Sequence, residues 1–288
     1  MVVFGNPATL EWVADLCHVL KIDRDLAQQR KAIKDKHACI FVPYPADEKV
    51  TKRFDYPYGN SFHFMLDPRA KSLFPDFYGW VLRSDWDVFY TPSLGSLCPE
   101  TFRTGVGAYT DFSPSHPGDP NTADHLKELS KLYGLRHRGE HNVGSTWFGR
   151  TPEILALARL TYNVMPLLLK FHFEQKDPAH GEGPAHVLDG VGWQRWYAGV
   201  TLLYAGELAS NHLLDEFEKS DQMDAASHGS VPVSDVFSIH CWWVEEPFAK
   251  FQFFAHHYDF MSLDGLDTSI AKDYCMDIAL RSYRGIEE

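Results

Sequence analysis

The chain has 288 residues, of which 44% are hydrophobic and 23% charged, with a formal net charge of −12. That length buries a sizeable core, enough for one large α/β domain or two small ones. The negative balance excludes a broad nucleic-acid-binding surface, which needs a basic patch. The five cysteines (Cys17, Cys39, Cys98, Cys241 and Cys275) are scattered and lack paired spacing. They read as free thiols of a reducing compartment. No apolar run reaches the ~20 residues of a membrane span, so no integral membrane segment is expected and a cytoplasmic location is. The apolar start at Val2 reads as a strand already inside a fold, so a targeting segment or a first βα unit can precede this chain.

Val2–Phe4 is predicted as a strand ended by Gly5-Asn6-Pro7. Ala8 to Leu20 has apolar residues at Leu10, Val13, Leu16 or Cys17, and Leu20, a helical spacing, and Asp23 and Asp25 open a second, charged helix. Ala38–Val42 is a second strand. Ser61–Leu73 is helical in part, limited by Pro68. Trp80-Val81-Leu82 is a buried strand running into Arg83-Ser84-Asp85-Trp86-Asp87, and Val88-Phe89-Tyr90 follows. A Gly- and Pro-rich loop with a short strand covers Ser93–Ser113. A helix before Gly134 carries Leu126, Leu129 and Leu132 on one face. His141–Gly149 is a strand of mixed polarity, one edge of which faces a polar cleft. Thr151 is the expected N-cap of a helix with Ile154, Leu157, Ala158, Val164, Leu168 and Phe171 on its core face. Pro166 bends or ends its first part. Asp177–Gly192 reads as a solvated loop, and 219–235 as a polar loop. Glu207 and Asn211 share a helix face, whose plain reading is an exposed surface. Val236–His240 is the last clear strand, and the tail is helical.

Strands alternating with helices predict an α/β fold with a mainly parallel central sheet, in which ligands bind beyond the carboxyl ends of strands. Asp85 and Asp87 lie at such an end. Two neighbouring carboxylates near a core repel each other and lose water. A hard divalent cation relieves both costs, and oxygen ligands of this kind suit Mg2+ or Mn2+, which also hold diphosphates. The alternative is an ordinary polar strand end.

The order of motifs then becomes informative. WVLRSDWDVFYTP, HNVGSTWFG, YAGELASNHL and SIHCWWVEEPF together resemble the nucleotide-sugar glycosyltransferases of the GT-A fold. They look most like the glycogenin-type branch, and like an uncharacterised eukaryotic family of presumed glycosyltransferases. The resemblance implies one GT-A-like domain over residues 1–288, with a nucleotide-binding half (1–92) and an acceptor-side half (93–288). It implies a metal site of Asp85, Asp87 and His240. Asn142 and Gly144 would line the donor and acceptor sugars, and Glu207 and Asn211 would lie near the anomeric carbon. Arg83 and Trp86 lie beside the metal pair and count with the donor-binding residues. Three departures stand out. Gly206-Glu207 replaces the usual Asp-Gln, and Cys241-Trp242-Trp243 follows the histidine where a glycine is usual. The phosphate-binding Lys-Pro-Trp run is also missing, and Lys250 is the candidate replacement.

The expected activity is metal-dependent transfer of a sugar from a nucleoside-diphosphate donor, a UDP-sugar, to a glycan or glycoside hydroxyl. Mn2+ or Mg2+ would be the cofactor. An inverting enzyme would have Glu207 or Asp189 available as a base, and a retaining one would have Glu207 or Asn211 near the opposite face of the sugar, two outcomes that the sequence does not separate. Two alternatives stay open. One is a metal-dependent phosphoester or nucleotide-sugar hydrolase that recruits His256, His257 and Asp259. The other is a non-catalytic glycan-binding module.

Overall fold

A computed structural model describes residues 2–5, 18–19, 40–43, 54–68, 71, 74–75, 78–85, 87–110, 121–173, 198–241 and 248–285. Trp86, Asp189, His180, His186 and the charged run 23–36 lie outside the described residues.

Three strands come from the first part of the chain: β1 (Val2–Gly5), β2 (His18–Val19) and β3 (Ile40–Pro43). They form a parallel sheet in the order β1-β3-β2. His18 and Val19 pair with Ile40 and Phe41, so the helical reading of residues 8–20 does not extend to them.

The next strands are β4 (Trp80–Arg83), β5 (Val88–Tyr90) and β6 (Arg103–Val106). Helix α1 (Thr122–Leu132) follows, with the Asn121 side chain accepting from the Asp124 N–H at its start. Leu126 and Leu129 are buried, but Leu132 points outward. Strand β7 (Val143–Arg150) runs directly into α2 (Thr151–Leu168), which a π turn, Leu169–Phe173, prolongs past Pro166. The cap is Arg150 rather than Thr151, and its N–H donates to Glu153. Phe171, expected in the core, is exposed. Helix α3 (Thr201–Leu213), short strands β8 (Glu218–Lys219) and β9 (Ala225–Ala226), and β10 (Ser238–His240) follow. The chain closes with α4 (Lys250–Phe254) and α5 (Ala271–Arg284).

The expectation of a mainly parallel central sheet is overturned. The fold is α/β, but the two sheets that carry the site are mixed, and their longer ladders are antiparallel. One has the order β4-β7-β6-β8, with β7 antiparallel to both β4 and β6. The other has the order β5-β10-β9, with β5 and β10 antiparallel. Helices between strands suggest parallel crossovers, but pairing partners are set by contacts remote in sequence. Here β7 inserts between β4 and β6 and runs against both.

Two cores flank these sheets. The larger gathers Phe62, Phe102, Trp147, Ile154, Leu157 and Leu208 from β7, α2, α3 and their neighbours. The smaller joins Ile239 of β10 to Phe248, Cys275 and Leu280. The segment Thr151–Phe173 is long and apolar enough to cross a membrane by length and composition. Its Ile154, Leu157, Ala158, Met165 and Leu168 are buried in the first core. Trp147 anchors that core. Its ring meets Phe62 and Phe102, with centroids 4.8 and 5.9 Å away, and its indole N–H donates to the Gly144 carbonyl at 2.9 Å. Trp147→Ala is expected to cost about 3–5 kcal/mol, read by urea denaturation. A loss under about 1 kcal/mol would contradict this packing.

Candidate metal centre

The site forms where β4 ends and β5 begins. Val88 of β5 pairs with His240 of β10, and the Cys241 N–H donates to the Asp87 carbonyl at 3.0 Å. This antiparallel register brings the Asp85–Asp87 loop against the end of β10. His240 Nε2 then lies 3.4 Å from Asp87 Oδ1 and 4.0 Å from Asp85 Oδ2.

The sequence points to Asp85, Asp87 and His240, and the fold brings them together. Their ligand atoms lie within 4.8 Å of one another, close enough to chelate one ion. All three side chains are largely sheltered. Two carboxylates and one imidazole form a donor set that accepts Mn2+, Mg2+ or a borderline metal.

Lys250, at the start of α4, extends its ammonium group onto Asp87 Oδ2. Burial pushes the Asp87 carboxyl up, but hydrogen bonds and charge from His240 and Lys250 prevail and hold it at about 2. Burial also pulls His240 down. The hydrogen bond to Asp87 and the charges of Asp224, Asp87 and Asp85 prevail and raise it above its usual value. A cationic side chain thus already occupies the position beside Asp87 that a metal would neutralise.

Arg83, on β4, is buried. Its guanidinium donates to Asp85 Oδ1 at 2.8 Å and to the Ser145 carbonyl, and it covers the Phe62 ring. It therefore braces Asp85 from behind.

Asp224 escaped sequence reasoning. It follows a turn at 220–223 and has φ of +60°. Its carboxylate accepts from the Thr146 N–H at 2.9 Å, from the Thr146 hydroxyl, and from the Ser145 hydroxyl at 3.2 Å. It lies 3.9 Å from His240 Nδ1, which also contacts Ser145 Oγ at 3.2 Å. With Nδ1 turned to Ser145 and Asp224, Nε2 faces Asp85 and Asp87, an orientation that suits a metal ligand. Two glycines make room for this carboxylate. A Cβ on Gly105 would lie 2.0 Å from Asp224 Oδ2, and one on Gly144 would lie 2.5 Å from the same atom. Gly144 would also meet the Gly105 backbone at 2.3 Å. Gly144 therefore serves close packing under the site.

A second group forms between the segment that precedes β7 and helix α3. His137, His141 and Glu207 also bring ligand atoms within 4.8 Å. Glu207 and Asn211 are not an exposed helix face: both are fully buried. Glu207 Oε1 lies 2.7 Å from His141 Nδ1 and 3.2 Å from His137 Nε2. Its Oε2 accepts from the Tyr109 hydroxyl at 2.7 Å and the Asn142 N–H at 2.8 Å. Burial raises the Glu207 carboxyl, but these donors outweigh it and the net shift is downward, so the group is ionised. Asn211 accepts from the Arg138 and Glu140 N–H groups at 3.0 and 3.2 Å and donates to the Glu140 carbonyl at 2.7 Å. Asn142 accepts from the Thr110 N–H and hydroxyl at 2.9 and 2.8 Å.

Hydrogen polarity separates the two groups. The Gly139 N–H donates to His137 Nδ1 at 3.0 Å, so His137 Nε2 carries the hydrogen and donates to Glu207. A metal on that Nε2 would need the reverse tautomer. The Asp85–Asp87–His240 group has no such conflict and is the better candidate of the two for holding an ion. His256 and Asp259 pair with each other at 3.2 Å, and among the described residues they join neither group.

Residues 1–284 match the family model described as "Domain of unknown function (DUF7164)", and the chain belongs to that family. No curated protein and no solved structure matches it.

Manganese titrations will test the centre. Asp224→Asn is expected to weaken Mn2+ binding about 10–100-fold while the protein stays folded. Wild-type affinity should fall as pH drops below the raised value of His240, since Nε2 must lose its proton to bind. An Asp224→Asn affinity equal to wild type, or a flat profile between pH 8 and 6, would refute this arrangement.

Proposed function

We propose that this DUF7164 member is a metal-dependent glycosyltransferase that moves a sugar from a UDP-sugar to a hydroxyl of a glycan or glycoside. The observation that carries the reading is the convergence of Asp85, Asp87 and His240 with Lys250 at one strand end. Such a set suits a diphosphate: carboxylates for the ion, and a mobile cation for the phosphates. The ordered motifs from residues 78 to 250 support the same chemistry. The reading rests on the site and not on sheet direction.

Asp85, Asp87 and His240 would hold the divalent ion. Once bound, that ion supplies positive charge against the diphosphate leaving group. Arg83 fixes Asp85, and Asp224 with Ser145 fixes the His240 ring. Lys250 neutralises Asp87 and would turn to a phosphate where a metal took its place. The leaving group then meets preorganised charge without a proton donor.

Calorimetric titration of UDP tests this reading. Wild type is expected to bind UDP only with Mn2+ or Mg2+, and Asp87→Ala to lose at least tenfold in affinity. Lys250→Ala should bind metal alone more tightly and UDP with metal more weakly. Metal-independent UDP binding that is unchanged in Asp87→Ala would remove the assigned site.

A further inference from the structure

Glu207 is one of the two acidic residues that the sequence offers for taking a proton from an acceptor, but its surroundings disqualify it. Its two oxygens already face four donors: two imidazoles, one phenol and one amide. The carboxylate is fully buried and fully used. Its effect must pass through a neighbour.

That neighbour is His141. Because Glu207 is ionised and accepts only, the hydrogen between them sits on His141 Nδ1. In the neutral ring the lone pair is then at Nε2. Among the described residues this Nε2 is buried and has no hydrogen-bond partner, although the ring as a whole is 17% exposed. His137, packed 5.0 Å away by ring centroid, differs in this respect, since Gly139 satisfies its second nitrogen. Of these two rings bound to Glu207, only His141 keeps a basic nitrogen without a partner among the described residues. A buried polar atom without a partner is uncommon and calls for an occupant.

The surroundings hold the ring in this state. The backbone is left-handed at Asn142, φ +60°, and the N–H of Asn142 itself donates to the same carboxylate at 2.8 Å. The Lys219 ammonium takes the His141 carbonyl at 2.9 Å and pairs with Glu140 at 3.1 Å. Asn211 ties down residues 138–140. A carboxylate that fixes one imidazole nitrogen and leaves the other bare is the arrangement of a general base.

We propose that His141 is the proton acceptor for the attacking hydroxyl and that Glu207 is its positioning residue. The inference rests on the transferase reading above. The acceptor hydroxyl gives its proton to His141 Nε2 as its oxygen bonds to the anomeric carbon. The bond from that carbon to the diphosphate oxygen breaks, and its electron pair leaves with the nucleoside diphosphate. The imidazolium formed is stabilised by the Glu207 charge.

The probes are UDP-sugars, with water or a simple glycoside as acceptor. His141→Ala is expected to lose about 10²–10⁴-fold in turnover while metal-dependent UDP affinity stays within about twofold of wild type. Added imidazole should restore part of the turnover, which a purely structural residue would not permit. Nitrogen-15 spectra of the wild-type histidines, needing no substrate, should place the His141 hydrogen on Nδ1. Undiminished turnover in His141→Ala, no rescue by imidazole, or a hydrogen on Nε2 would overturn the assignment. Absence of UDP binding by wild type would instead remove the donor reading beneath it.

Discussion

Val88 opposite His240 is the pairing on which the site depends. The antiparallel ladder of β5 on β10 delivers the histidine to the two aspartates, and the Cys241 N–H extends it to the Asp87 backbone. A one-residue slip would turn His240 to the other face of the strand. The register is held by apolar packing on either side: Phe89 meets Phe248 at 5.8 Å between ring centroids, and Ile239 is fully buried. The smaller core thus acts on function through strand register.

Charge compensation is the second constraint. Asp87 and Asp85 crowd together in partial shelter, and each has its own cation, Lys250 for one and Arg83 for the other. The two cations differ in freedom. Arg83 is buried and bonded to strand β7, whereas the Lys250 stem is partly exposed. Arg83 is therefore fixed structure, and Lys250 is the cation that can be displaced. Behind His240, Asp224 adds a negative charge whose cost is met by donors on Ser145 and Thr146.

Much of this was legible in the sequence wherever a signal is local. The apolar run Trp80–Leu82, the Gly-bounded strand before Thr151 and the amphipathic tail helix each follow from their own residues. Asp85 and Asp87 were visible as a carboxylate pair at a strand end, and His240 joined them only through the family resemblance that the ordered motifs carry. Sheet direction was not, because it depends on which distant strand each segment meets: β7 pairs with β4 and β6 from far along the chain. The burial of Glu207 was hidden for the same reason, since polar spacing on a helix looks the same whether or not residues 137–142 fold over it. Asp224 sits in an unremarkable polar stretch, and only the close approach of Gly105 and Gly144 reveals why a carboxylate belongs there.

The most direct measurement is an anomalous difference map from crystals grown with Mn2+ and UDP. A single strong manganese peak bounded by Asp85, Asp87 and His240, with the Lys250 ammonium moved from Asp87 toward the diphosphate, is the result expected. A manganese peak elsewhere, or none beside an undisturbed Lys250–Asp87 pair, would contradict the account.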